Sequence, residues 1–236
     1  MVKFAYAVGR IRALEVHLLD ESKIVRMVDA ISFESAYLVL RESPHFSEKI
    51  DRLPHPFDFE ALLESELAWT KELLENLAPK NEIMDVIWKK YDPSLALEDY
   101  LNQLQKAAKE NAIPLFSRYA QGFTALNRLR MDILSGKIDP ETAANKFRYT
   151  DFHRAVSTGM EQYKKTGSLF ALEREIDNHL METVKKAKYK AFGIEPLIGF
   201  AIAKEIEIKL IRLILVCKQL HVKTEEIKER LRLPYV

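Results

Sequence analysis

The chain has 236 residues, of which 47% are hydrophobic and 30% charged, with a formal net charge of +1. The near-neutral balance excludes the strong positive field of a dedicated nucleic-acid-binding protein, and the charged fraction excludes a chain embedded in a membrane. Only 7 glycines and 9 prolines interrupt the sequence, which favours long helices. The composition therefore predicts an all-α protein with a substantial core.

The cysteine content and the longest apolar region indicate the cellular compartment of the protein and its relation to membranes. The single cysteine, Cys217, cannot form an internal disulfide, and no signal-peptide pattern follows Met1. The apolar region 191–216 contains six charged residues, which argues against a membrane-spanning helix. We therefore expect a soluble, cytoplasmic protein whose association with any membrane is peripheral and indirect.

In the N-terminal part of the chain, apolar residues recur at helical spacing. They predict helices over 2–19 and 32–41, and Asp20 or Ser22 is expected to cap a short helix between them. The sequence Ser-Pro-His at 43–45 ends this pattern, and Pro-His-Pro at 54–56 marks the clearest linker.

The middle of the chain continues the helical pattern after that linker. Helices are predicted over 58–78, 95–111 and 115–134, with Asp58 as the cap of the first and Gly136 just past the end of the last. Asp139 followed by Pro140 is typical of a helix start, so short helices are expected over 140–147 and 151–164.

The last long apolar segment requires a choice between strand and helix. Residues 205–209 alternate between charged and apolar side chains, as a half-buried strand does. From Ile198 to Leu220, however, apolar residues recur at every third or fourth position. The longer pattern predicts a helix that is buried on most sides, preceded by a helix over 169–188 and followed by a short one over 224–231.

Three of the predicted helices share a short motif that ends in arginine. Arg12, Arg130 and Arg212 each have an apolar residue one and four positions before them, and each helix is followed by a polar break and a short amphipathic helix. Chance accounts easily for one copy, whereas three copies favour duplication of one unit. The sequence thus predicts a single domain over 1–236 with three pseudo-repeated units at about 1–53, 54–165 and 166–236.

Two regions resemble a known family. The segment 6–13, Tyr-Ala-Val-Gly-Arg-Ile-Arg-Ala, resembles the opening of the C subunit of rotary V/A-type ATPases, the family of the eukaryotic d subunit. The segments 193–197, 203–212 and 230–236 resemble the final unit of that family. The likeness covers the chain end to end but is weaker over 46–111, and the region 54–111 is compressed relative to the usual family member.

This resemblance implies a funnel-shaped, non-catalytic protein made of three quasi-equivalent helical units. Its implied partners are the central-stalk shaft subunits and the membrane rotor ring of an ATPase that transports protons or sodium ions. We take Arg12, Arg130 and Arg212 as candidate residues of a pocket that binds a partner. The alternative is that each arginine only pairs with a neighbouring carboxylate.

Motifs for chemistry are missing from the sequence. It has no glycine-rich phosphate loop, no G-x-S-x-G element and no pair of histidines at metal-binding spacing, so we expect no catalytic residue, cofactor or metal. The four lysines of 185–190 suit anionic lipid headgroups or an acidic partner, but we favour a solvated helix end. The alternatives to the rotary subunit are a helical adaptor that docks partner helices and, less favoured, a helical-bundle metalloenzyme.

Overall fold

The structure is a computed structural model that describes residues 4–236. Within this range the chain forms thirteen α-helices and two short 3₁₀ turns, and no strand occurs there. The prediction of an all-α protein is confirmed. The helices, in chain order, are α1 (Ala5–Glu15), α2 (Glu21–Asp29), α3 (Phe33–Leu40), α4 (Pro44–Ile50), α5 (Phe59–Leu77), α6 (Glu82–Trp88), α7 (Leu97–Asn111), α8 (Pro114–Leu134), α9 (Pro140–Lys146), α10 (His153–Thr166), α11 (Phe170–Lys185), α12 (Glu195–Gln219) and α13 (Thr224–Arg230).

The helices divide into two compact units. The described part of 1–79 together with 187–236 forms unit 1, and residues 80–186 form unit 2. Unit 1 therefore contains α1 to α5, α12 and α13, and unit 2 contains α6 to α11. The three pseudo-repeated units are a hypothesis about duplication of the sequence, and the two compact units do not test it. These repeats and the funnel shape therefore remain predictions.

Helix α12 is the central element of unit 1. It packs against α1, α2, α3 and α5, and only Lys209 and Gln219 along its 25 residues are exposed. Because neighbours surround the helix, apolar residues are needed on nearly every face rather than on one stripe. The prediction of a mostly buried helix at this place is confirmed, and the strand interpretation of 205–209 is wrong.

Aspartates begin several of these helices as the sequence predicts. The Asp20 side chain accepts a hydrogen bond from the Lys23 amide at 2.8 Å, and Asp58 accepts one from the Ala61 amide at 3.0 Å. Each bond satisfies an amide that has no partner within its own helix. Asp20, rather than Ser22, is therefore the cap of α2. The start of the first predicted helix at residue 2 lies outside the described residues.

Helix α4 has no counterpart among the predicted elements. Pro44 does end the preceding helical pattern, but it also occupies the first position of the new helix. Proline is suited to that position because its fixed φ matches the helix and its missing N–H would have no helical partner there. The helix is short, and its buried residues Phe46 and Ile50 are too few for a recognisable periodicity.

In unit 2, most of the helices that pack together are neighbours in the sequence, and α8 also packs against α11. Helix α7 packs against α8, and α10 packs against α9 and α11. Helices α10 and α11 approach each other closely at Gly159, where a Cβ atom would lie 2.6 Å from the Cα of Leu172. At the end of α8, Gly136 has a φ of +69°, as expected for the residue just past a helix.

No helix within residues 4–236 combines the length and the apolar character that a membrane span needs.

Candidate functional site

The candidate arginine of α1 has its partners within unit 1. The Arg12 guanidinium donates to both carboxylate oxygens of Glu15, at 2.7 and 2.8 Å. Its other terminal nitrogen donates to the backbone carbonyls of Ala187, at 2.7 Å, and Lys190, at 2.9 Å. Arg12 therefore fixes the segment that precedes α12 against α1.

The other two candidate arginines form exposed ion pairs. Arg212 of α12 pairs with Glu60 of α5 at 2.9 Å in unit 1, and Arg130 of α8 pairs with Glu173 of α11 at 2.6 Å in unit 2. The three arginine side chains are 29% to 46% exposed. Each arginine thus pairs with a different carboxylate. Within unit 1 the pair of Arg12 with Glu15 lies inside α1, whereas the pair of Arg212 with Glu60 joins α12 to α5.

A second group of charged side chains lies inside unit 1. Glu66 of α5 and Lys204 of α12 are fully buried and pair at 2.6 Å, and Lys204 also donates to Glu207 at 2.7 Å. His45 and Lys49 of α4 contact the same Glu66 carboxylate, with the His45 Nε2 at 2.8 Å and the Lys49 ammonium in direct contact. We call these five residues the buried ionic cluster.

Aromatic rings and a backbone amide complete the surroundings of this cluster. The Lys204 ammonium lies 5.3 Å from the centre of the Phe46 ring and 5.9 Å from that of Trp69. The backbone amide of Leu19 donates to Glu207 at 2.6 Å. Both buried carboxylates and the buried ammonium therefore have several partners each, which is the condition under which buried charges are tolerated.

The ionisation of the cluster follows from these contacts. Burial raises the pKa of Glu66, but the hydrogen bond from His45 and the charges of Lys204 and Lys49 outweigh burial and hold the pKa well below its usual range. Burial lowers the pKa of Lys204, yet the adjacent Glu207 and Glu66 outweigh it and raise the pKa. For Lys49 burial prevails and lowers the pKa. Glu66 and Lys204 are thus oppositely charged at neutral pH, and the cluster connects α4, α5 and α12.

Sequence reasoning misses this cluster, although the sequence contains a signal for it. Glu66 lies on the same helical stripe as the buried residues Leu63, Thr70 and Leu74, where an unpaired charge would not be tolerated. Lys204 and Glu207 lie one turn apart on a helix that is otherwise mostly apolar. From the sequence alone, Lys204 and Glu207 are used only as charges that argue against a membrane-spanning helix.

A separate contact attaches the C-terminal segment 231–236 to α1. The Tyr235 hydroxyl is buried and donates to Glu15 Oε1 at 2.9 Å, so that Glu15 binds both Tyr235 and Arg12. The Lys188 ammonium lies 4.6 Å from the centre of the Tyr235 ring. Glu15 therefore joins α1 to the C-terminal segment, and the Tyr235 ring extends this contact to Lys188.

Several known proteins are similar to this chain. The C subunit of the A-type ATP synthase of Methanothermobacter thermautotrophicus is 25% identical over 190 residues, which is 76% of this chain and 45% of the relative. The C subunit of the A-type ATP synthase of Methanocaldococcus jannaschii is 36% identical over 83 residues, 35% of this chain and 21% of the relative. The C subunit of the V-type sodium ATPase of Enterococcus hirae is 40% identical over 67 residues, 28% of this chain and 20% of the relative.

The matched regions span less than half the length of each of these relatives. A model of the family described as the ATP synthase (C/AC39) subunit matches residues 7–94 and 100–230, which is most of the chain. The resemblance seen in the sequence is confirmed, and at the level of the family so is the prediction of a structural rather than a catalytic subunit. The chain belongs to the family of ATP synthase C/AC39 subunits.

Proposed function

We propose that this chain is a non-catalytic central-stalk subunit of a rotary V/A-type ATPase. In this role it couples the membrane rotor ring to the central shaft, on the cytoplasmic side and peripheral to the membrane, while protons or sodium ions are transported. The observation that carries the proposal is the family match over 7–94 and 100–230, which reaches from α1 to α13.

The interior of unit 1 suits a part that transmits torque. Such a part performs no chemistry but must resist deformation, and densely packed helices provide this stiffness. The buried ionic cluster adds directional contacts between α4, α5 and α12. Sliding of α12 along α5 would separate Lys204 from Glu66 in a medium where unpaired charges are costly.

Arg12, Arg130 and Arg212 are proposed as residues that contact a partner, with Arg12 and Arg212 in unit 1 and Arg130 in unit 2. The pairs of Arg130 with Glu173 and of Arg212 with Glu60 are exposed, and such pairs are worth only about 0–1 kcal/mol. An acidic group of a partner can therefore replace the internal carboxylate at little cost. Arg12 holds backbone carbonyls, so its role is to shape the surface rather than to exchange partners.

Affinity capture from the native membranes tests this proposal. The tagged chain should co-purify with ring and central-stalk subunits in the absence of nucleotide. Arg130→Gln and Arg212→Gln should each reduce the recovered subunits. Arg128→Gln is the matched control, because Arg128 lies on the same helix as Arg130 but pairs with Glu98 instead.

The capture experiment can also contradict the proposal. Recovery of intact ATPase complexes that lack this chain, while the chain itself co-purifies with unrelated proteins, would reject the rotor role. A helical adaptor would then be the better description, since it shares the fold and differs only in its partners.

A further inference from the structure

The segment that precedes α12 exposes aromatic and basic side chains together. Residues 189–193 are exposed without interruption, and within them Tyr189 is 87% and Phe192 61% exposed. Lys188 and Lys190 flank Tyr189, and two further lysines precede them in the sequence at 185 and 186. We call residues 187–193 the basic–aromatic tip.

The backbone of this tip is held in place from within unit 1. Arg12 binds the carbonyls of Ala187 and Lys190, and the Lys188 ammonium lies over the ring of Tyr235. At the end of the tip, Gly193 has a φ of +93°, a conformation that residues with a side chain rarely adopt. The two large exposed rings therefore extend from a supported turn.

Basic side chains outnumber acidic ones at the tip, since the segment 185–195 contains four lysines and one glutamate. Helix α1, which Arg12 joins to the tip, exposes the further basic residue Arg10. The nearby acidic residues offset only part of this charge: Glu15 is buried and pairs with Arg12, and the mostly buried Glu195 lies 3.8 Å from Lys190. The surface is complementary to an anionic partner that also accepts apolar rings.

We propose that the basic–aromatic tip binds the surface of an anionic lipid bilayer directly, in place of the solvated helix end and the indirect membrane association that the sequence alone favours. Aromatic rings are favoured at the level of the lipid headgroups, and lysines nearby are attracted to anionic headgroups. An acidic protein segment is the rival, but a stable protein interface buries about 800 Å² on each partner and needs complementary shape. Protruding rings on five successive exposed residues suit a bilayer better, because lipids rearrange around them.

This proposal goes beyond the rotary role and does not depend on it. A bilayer contact by the tip requires no other subunit, so the isolated chain is sufficient for the test. Failure of the vesicle experiment would leave the capture experiment unaffected.

Unit 2 contains an exposed aromatic residue that serves as a control. Tyr149 is 93% exposed and, like Tyr189, lies next to a basic residue. The guanidinium of Arg148 lies 5.8 Å from the centre of the Tyr149 ring, and Asp151 follows two positions after Tyr149 in the sequence. Tyr149 is thus more exposed than either ring of the tip, but both a basic and an acidic residue lie near it in the sequence.

Co-sedimentation of the purified full chain with vesicles tests the proposal. The chain should sediment with phosphatidylcholine vesicles that contain phosphatidylglycerol, much less with phosphatidylcholine alone, and less as salt is added. Lys190→Gln should lower the partition coefficient about fivefold. The double variant Tyr189→Ser/Phe192→Ser should lower it at least about tenfold, while Tyr149→Ser should leave it unchanged.

Three outcomes would overturn the proposal. They are no sedimentation with phosphatidylglycerol vesicles, equal sedimentation with both vesicle types, and an equal loss in Tyr149→Ser and in the tip variants. Binding to a soluble polyglutamate peptide with the same dependence on Tyr189, Lys190 and Phe192, without binding to vesicles, would assign the tip to an acidic protein segment instead.

Discussion

Removing one carboxylate from the buried ionic cluster provides the sharpest test of the structure. In Glu66→Gln the shape is retained, but the fully buried carboxylate that accepts from His45, Lys49 and Lys204 is lost. Lys204 keeps Glu207 at 2.7 Å, whereas Lys49 loses the carboxylate it contacts.

The expected loss follows from the burial of the remaining charges. Breaking a buried pair by removing one partner costs about 3–5 kcal/mol, because the other charge is left in a medium of low polarity. Since Lys204 retains one carboxylate, we expect Glu66→Gln to lower the free energy of unfolding of unit 1 by about 3 kcal/mol, towards the lower end of this range. Glu60→Gln is the matched control on the same helix. Its exposed pair with Arg212 should be worth about 0–1 kcal/mol.

Urea unfolding followed by tryptophan fluorescence measures this difference. Trp69 contacts His45 at a ring distance of 4.5 Å and so reports on the cluster, whereas Trp88 lies in unit 2. A Trp88→Phe background isolates the signal of Trp69, and this change removes no hydrogen bond because the Trp88 Nε1 has no partner among the described residues.

The midpoint should shift while the slope with urea concentration stays constant. If Glu66→Gln costs no more than Glu60→Gln, the buried pairing of Glu66 with Lys204 is wrong.

Two further predictions concern acidity and packing. Because the folded-state pKa of Glu66 lies below its ordinary value of 4.5, its contribution is complete above that value and is lost as the pH falls below it. The stability difference between the wild type and Glu66→Gln should therefore shrink on acidification in the same urea experiment, and a constant difference would contradict the assignment. In unit 2, Gly159→Ala places a methyl group against the backbone of Leu172 and should cost about 1–3 kcal/mol. Gly122→Ala meets only side chains and should cost less, as measured by urea unfolding with Trp88 fluorescence.

Much of the secondary structure is determined by local sequence. Asp20, Asp58 and Asp139 begin helices because a carboxylate can accept hydrogen bonds from amides two or three residues ahead, a contact that needs no other part of the chain. The periodicity from Ile198 to Leu220 likewise suffices to predict α12. Helix α4 escapes prediction because seven residues are too few to display a period, and its proline by itself indicates only the end of the preceding helix.

The contacts of the charged residues are decided by tertiary structure alone. Sequence spacing places Arg12, Arg130 and Arg212 at matching positions of three helices, but it does not indicate that Arg12 binds backbone carbonyls near residue 190. In the same way, the sequence places Glu66 on an apolar stripe and Lys204 on an apolar helix without relating the two. Helical periodicity specifies which face of one helix is buried, while the partner across the interface depends on how distant helices pack, and that information is carried by no local pattern.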